Sequence, residues 1–314
     1  MQRVQTRPTT LPTAAIPRRS PLPWARQRRR VFVAFLLPAA IVLFVVTILP
    51  SIFLIATSFT PFDLTKPNSL TFAGLRNYEQ LLRDDRFWNS TWVQARLSFW
   101  TVSLQMLFGL GLAVLLNSRM RALEAVRTAF IVPMVLPPVV VALTWKILFT
   151  PDVSPINWLL GLLRLPQPAW LVDPTLALWA LIIADVWQWF PFVFLMLLAA
   201  LQMMPEEPIE AARIDGASAL QVFRYITLPL LRPVLLIAVL FRLIDSIKAF
   251  PNIFIMTGGG PGIATEATNY YAYLQGFSYT FIGFSSAITV VMLVTTFAMS
   301  CTILRTLGRT VDVE

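Results

Sequence analysis

Six stretches of this chain are long and apolar enough to cross a bilayer, and no other feature restricts its fold so tightly. They run roughly over residues 31–59, 97–117, 128–149, 176–203, 233–256 and 283–304, each near or above the ~20 helical residues that a hydrocarbon core requires. A spanning segment must satisfy its backbone polar groups internally, and a β-barrel would need short alternating segments instead. The fold class is therefore all-α, a polytopic membrane protein with six transmembrane helices. At 57% hydrophobic and 13% charged residues, with mean hydropathy +0.69, the chain is too apolar for a soluble globular protein of its length.

Orientation follows from where Lys and Arg fall between the runs. With the N-terminus inside, residues 1–30, 118–127, 204–232 and 305–314 are cytoplasmic and carry eight, three, three and two Arg; the other side holds only Lys66, Arg76, Arg83, Arg86, Arg96 and Arg164. The short loops agree with the long one, so the positive-inside rule places both termini in the cytoplasm. Residues 1–30 contain eight Arg, five Pro and no acid, which reads as a disordered basic tail held near anionic headgroups. Arg18-Arg19 resembles a twin-arginine signal, but the following run is too long for a signal-peptide core, so an uncleaved first span is expected. One transmembrane domain, 31–304, and a cytoplasmic tail, 305–314, complete the organisation.

The net charge of +9 is explained by topology and membrane lipid, with no need of nucleic acid. Cys301 is the single cysteine and there is no histidine. Metal and His-based chemistry thus have almost nothing to work with, and the chain reads as no enzyme.

Residues 60–96 form the longest external loop, with a short amphipathic helix and Trp88, Trp92 and Trp100 suited to an interfacial belt. Pro133, Pro137-Pro138 and Pro191 lie within the third and fourth spans, where proline frees backbone carbonyls and often marks a kink beside a cavity. Asp185, Arg242, Asp245 and Lys248 are ionisable groups at membrane depth, and each is costly there unless paired or facing water. Arg242, Asp245 and Lys248 are spaced by three along one helical stripe, with Asp185 a candidate partner for Arg242 across the bundle. These four, with Trp187, Trp189 and Asn252, are the candidates for a polar translocation path; the tryptophan faces suit sugar rings. Such a network either fixes helix register or borders a cavity, and the two readings overlap. Thr257-Gly258-Gly259-Gly260-Pro261-Gly262 cannot be helical and reads as a tight external turn.

The most informative polar stretch is the loop 205–229, between the fourth and fifth runs. Pro205-Glu206-Glu207-Pro208 opens a short helix with carboxylates at its positive end. Gly216 stops it. Ser218 with Gln221 forms a capping box for a second short helix, whose Leu220, Val222, Phe223 and Ile226 need an apolar surface, and Leu228-Pro229 ends the unit.

Glu210, Ala211, Ala212, then Gly216, Ile226 and Leu228-Pro229 stand at the spacing of the signature loop of binding-protein-dependent ABC importer permeases, and the chain resembles that family from about Phe35 to Leu304. Phe72, Gly74-Leu75, Asn77-Tyr78, Trp145, Leu148-Phe149, Trp170-Leu171, Asp173-Pro174, Trp187, Pro191-Phe192, Arg242, Asp245, Lys248, Phe250 and Thr257 to Pro261 extend the likeness to its sugar, polyol and glycerol-phosphate branch. Pro208 and Pro251 depart from the pattern, where an aromatic and an Asp are common. The resemblance implies a type I ABC importer permease fold, with Glu210, Ala211, Ala212, Asp215, Gly216, Ile226, Leu228 and Pro229 coupling to an ATPase. It also implies a place in the inner (plasma) membrane of a prokaryote, with a second permease subunit, two ATPase subunits and an external solute-binding protein as partners. No Walker A pattern is present, so ATP and Mg belong to the partner ATPase and this chain binds no cofactor. A six-span channel or facilitator would also account for the intramembrane charges, but leaves the 205–229 loop without a purpose. Whether the solute is a sugar, a polyol or a glycerol phosphate stays open.

Overall fold

The structure is a computed structural model that describes residues 23–66, 69–117 and 122–311. It divides into two compact units, one ending at Phe53 and the other beginning at Leu54. The first unit, where described, is helical: α1 (Pro23–Ser58) starts inside the segment read as tail and continues through Pro38 and Pro50. The helix therefore begins earlier than the apolar run near residue 31, which corrects the reading of 23–30. Residues 1–22 lie outside the described residues.

In the second unit α2 (Arg76–Leu82) and α3 (Asp85–Leu115) follow. The second span thus begins well before residue 97, and only part of 60–96 is loop. Asp84 sets the start, its carboxylate accepting from the N–H groups of Arg86 and Phe87. Hydropathy misses this first stretch of α3 because Arg86, Asn89, Gln94 and Arg96 interrupt it.

The third span is broken. α4 (Ala122–Val135) and α5 (Pro138–Phe149) meet at 98° across Leu136-Pro137. Pro137 is extended at ψ 137° and Pro138 opens α5, so consecutive prolines turn the expected kink into a corner. After α6 (Pro155–Leu162), α7 (Pro174–Gln202) starts on the Asp173 cap and runs through Pro191.

The 205–229 region contains α8 (Glu207–Ile214) and α9 (Ala219–Val222). A π turn over Phe223–Thr227 then leads directly into α10 (Leu228–Ile247), so Leu228-Pro229 does not end the unit as expected. The N–H of Leu228 reaches back to the carbonyl of Phe223. This wider turn leaves room for the Pro229 ring, which would otherwise meet the Tyr225 carbonyl four residues back. The result is one apolar helix over 219–247.

That helix stops at Ile247, short of the expected residue 256. Pro251 has no N–H to give the Ile247 carbonyl, and its ring would clash there. The last N–H groups, of Lys248 and Ala249, bond instead to Asp245 and Ser246. The chain turns at Ala249 into α11 (Phe250–Asn252) and a π turn over Ile253–Thr257. Gly258, Gly259 and Gly262, all at positive φ, then make the expected turn, in which Gly260-Pro261 is cis. α12 (Thr268–Tyr273) and α13 (Ile282–Val311) close the unit. Among the described residues, five helices pass as spans and the bent α4–α5 pair makes a sixth.

The core lies between α3 and α7. Gly109 lets the two approach, since a Cβ there would stand 2.5 Å from Val193 Cγ1. Ala113, Val193, Phe194, Leu197 and Leu231 fill the end near α8, and Val93, Leu97, Phe149, Leu181 and Ile182 the other. At that other end Arg86 holds the buried Glu266 through two bonds of 2.8 and 2.7 Å, and the Tyr271 hydroxyl donates to Asp84 at 2.5 Å. Desolvation and the neighbouring Asp84 push the Tyr271 hydroxyl well above its ordinary pKa.

Candidate functional site

The loop residues form an exposed, stiffly built platform. Pro208 stands in the first turn of α8 and Glu207 and Glu210 face its positive end. At the other end Gly216 has φ +84°, its N–H bonds to Arg213 O at 3.1 Å, and the N–H of Ala217 bonds to Ala212 O at 2.9 Å. Those two bonds make a Schellman closure, which needs a left-handed residue at that position. A Cβ on Gly216 would meet nothing within 4 Å. Its requirement is conformational, not the crowding that a tightly packed turn would impose. Ser218 and Gln221 then complete the expected capping box.

No residue of α8 is buried. Glu210, Ala211 and Asp215 are exposed, Ala212, Ile226 and Leu228 half-buried, and Pro229 exposed. Val222 packs inward as expected, but Leu220 does not: it is 74% exposed, beside Ile214 at 85% and Tyr225 at 70%. These three side chains leave apolar surface uncovered on an otherwise polar loop.

The membrane-depth charges form the second feature. Arg242 and Asp185 are both buried, with Nη2 and Oδ2 3.7 Å apart. The expected pair is therefore present, but a third residue holds it. Gln105, fully buried on α3, donates from Nε2 to Asp185 Oδ2 at 2.8 Å and accepts at Oε1 from Arg242 Nε at 2.8 Å. Arg242 Nη1 also reaches Asp245 Oδ2 at 3.2 Å, and its guanidinium lies 4.8 Å from the centre of the Trp189 ring. Sequence reasoning missed Gln105, whose only signal was a lone amide inside an apolar run.

The other path candidates are scattered. Asp245 has a half-exposed side chain and Lys248 is exposed at the end of α10, without an ion pair among the described residues. Trp189 offers its face to Arg242 and not to open space. Trp187 is elsewhere, edge-on to Trp145 and lining an apolar pocket with Leu104, Phe108 and Phe190. Asn252 is buried, and its Oδ1 has no hydrogen-bond partner among the described residues. Two more cations at membrane depth were not among the path candidates: Lys146 on the exposed side of α5, and Arg96 on α3, 5.8 Å from the Trp92 ring. Among the described residues no cluster of His, Cys, Asp or Glu has the makings of a metal site.

Residues 105–308 match the family described as the binding-protein-dependent transport system inner membrane component. The trehalose/maltose transport system permease protein MalF of Thermococcus litoralis is 40% identical over 232 residues, 74% of this chain and 78% of that one. The sulfoquinovosyl glycerol transport system permease protein SmoG of Agrobacterium fabrum is 34% identical over 277 residues, 88% and 90% of the two chains. Among solved structures, a bacterial ABC transporter involved in the import of the acidic polysaccharide alginate aligns with a TM-score of 0.80 at 21% identity, covering 91% of this chain and 98% of that one. That last likeness is one of fold. The chain belongs to the binding-protein-dependent transport system inner membrane component family, and is a multi-pass membrane permease and not an enzyme.

Proposed function

We propose that this permease forms half of the translocation path of an ATP-driven importer for a carbohydrate-type solute, and that the 205–229 loop is where ATP hydrolysis is coupled to it. The observation that carries the reading is the exposed α8–α9 platform, with Gly216 in the left-handed region and Ile214, Leu220 and Tyr225 uncovered. Positive-inside charge puts this loop in the cytoplasm. There an ATPase subunit covers the apolar side chains, and Glu210 meets a basic residue on it. The sequence lacks a Walker A pattern, so ATP and Mg sit in the two ATPase subunits and no cofactor sits in this chain.

A second permease subunit supplies the other half of the path, and an external solute-binding protein delivers the solute. The relatives named for trehalose/maltose and for sulfoquinovosyl glycerol support a carbohydrate-type solute. Asp245 and Lys248, exposed at the end of α10 far from the loop, meet that solute along the path.

The test is co-purification followed by reconstitution. The tagged chain should bring down a Walker-containing ATPase, and uptake in vesicles should require ATP and the ligand-loaded binding protein. Glu210→Lys should cut uptake more than Glu206→Lys. Solute flux without ATP or an ATPase would instead identify a channel or facilitator.

A further inference from the structure

The two buried charges at mid-membrane are held more closely by Gln105 than by each other. Asp185 and Arg242 are 3.7 Å apart, while each lies 2.8 Å from the Gln105 amide. The amide can do this because it has a donor and an acceptor: its N–H satisfies the carboxylate and its C=O satisfies the guanidinium. Gln105 also lies within 3.3 Å of the Asp185 backbone carbonyl, which ties it further to α7. α3 and α7 thus act here as one support, and Arg242 is the attachment of α10 to that support.

Arg242 has a second partner that travels with it. Asp245 is three residues on in the same helix, 3.2 Å from Nη1, and its side chain is half exposed. The same helix runs unbroken in hydrogen bonding from Ala219, in the exposed loop, to Ile247. A displacement of α9 is therefore delivered along this rod to Arg242. When α10 shifts against α3 and α7, the bond to Gln105 must change, but the bond to Asp245 need not.

We infer that Gln105 is a positioning residue for transport, the fixed half of a latch that holds Arg242 in one state and releases it to Asp245 in the other. This rests on the reading of 205–229 as the ATPase-coupling loop. The unequal surroundings of the two partners favour it: Gln105 and Asp185 are sealed in the bundle, whereas Asp245 is half exposed on the same helix as Arg242 and keeps the guanidinium paired when it leaves Gln105.

The experiment uses the whole importer, reconstituted in lipid with its ATPases and binding protein, and reads the ratio of solute-stimulated to basal ATP hydrolysis. Gln105→Met keeps the length of the side chain and removes both bonds. It should leave the ATPase bound, raise basal hydrolysis and lower the ratio by about tenfold, the scale of a lost charge-assisted hydrogen bond. Gln105→Glu combined with Asp185→Asn reverses the donor and acceptor but keeps the charge count: Glu accepts from Arg242 and from the Asn amide. That double variant should recover the ratio, whereas Gln105→Glu alone, with two carboxylates face to face, should not.

A wild-type ratio in Gln105→Met would overturn the latch. If Gln105→Met fails to assemble, the double variant decides: assembly with a ratio still as low as that of Gln105→Glu alone assigns Gln105 to packing. Retention of the ATPase separates these outcomes from failure of the coupling-loop reading, in which Gly216→Val would keep the ATPase bound and the ratio unchanged.

Discussion

Asp185 and Arg242 face each other across the α7–α10 interface at 3.7 Å, too far for their best contact, because the Gln105 amide lies against both. The charges are thus a bridged pair. Removing Arg242 leaves Asp185 buried without a counter-charge, which typically costs about 3–5 kcal/mol, the scale expected for Arg242→Met; Asp185→Asn leaves Arg242 still paired with Asp245 and should cost less. Exchanging them, Asp185→Arg with Arg242→Asp, should recover part of the loss, since the Gln105 amide can flip to present the opposite ends. The yield of assembled, monodisperse complex after extraction is the measurement. Single variants equal to wild type, or an exchange worse than either, would show that the pair carries no stability.

Gly216 provides a sharper test because its surroundings are empty. With φ +84° and nothing within 4 Å of the place a Cβ would take, only backbone strain opposes a side chain. An L residue in the left-handed region costs roughly 1–2 kcal/mol, less for Asn. Gly216→Ala and Gly216→Val should therefore impair ATPase retention, with Gly216→Asn the mildest of the three. Pull-down of the ATPase from membranes in which all variants insert equally checks the order. Equal retention across the series would separate the turn from coupling.

Steric demand governs a different glycine. A Cβ on Gly283 would collide with the Thr60 backbone carbonyl oxygen and stand 2.9 Å from the Phe62 backbone nitrogen. Gly283 also donates its own N–H to the Phe62 carbonyl. Backbone cannot rotate away as a side chain would, so Gly283→Ala must push the start of α13 off the 60–62 segment. Overpacking of this kind costs about 1–3 kcal/mol or more. Gly111, where a Cβ meets nothing within 4 Å, is the matched control. A lower melting temperature for Gly283→Ala than for Gly111→Ala is the expected result.

How much of this was legible in sequence depended on what each signal measures. Hydropathy measures transfer into lipid, so it found the spans but not where their hydrogen bonding breaks. It extended the fifth run to residue 256, although Pro251 denies the Ile247 carbonyl its donor and ends α10. Reading Leu228-Pro229 as the end of the loop unit likewise split 219–247, although the π turn over Phe223–Thr227 absorbs the proline. Capping chemistry fared better, because Ser218-Gln221 and Gly216 act within a few residues and need no tertiary information. The spacing of charges found the Asp185–Arg242 pair. It gave no hint of Gln105, since one amide in an apolar helix has no partner in sequence, nor that Trp187 and Trp189 point to different neighbours.

Asp63 gives the pH dependence. Its Oδ1 accepts from the Thr65 N–H, the Thr65 hydroxyl and the Thr280 hydroxyl, and Lys66 lies 3.3 Å from Oδ2. These donors, led by the Thr65 N–H, stabilise the carboxylate and hold its pKa down to about 2. Thr280 sits at φ 67°, an unfavourable conformation that the Asp63 bond helps to fix where α13 begins. A depressed acid binds fewer protons folded than unfolded. Its contribution is therefore complete above the unfolded value of about 3.9 and lost as pH falls through the folded one. Asp63→Asn keeps an acceptor at Oδ1 but cannot titrate. The melting temperature of wild type should thus exceed that of the variant at about pH 5, and the gap should narrow as pH falls from about 4 towards 2. A gap that stays constant across that range would mean that the Asp63 charge does not support this junction.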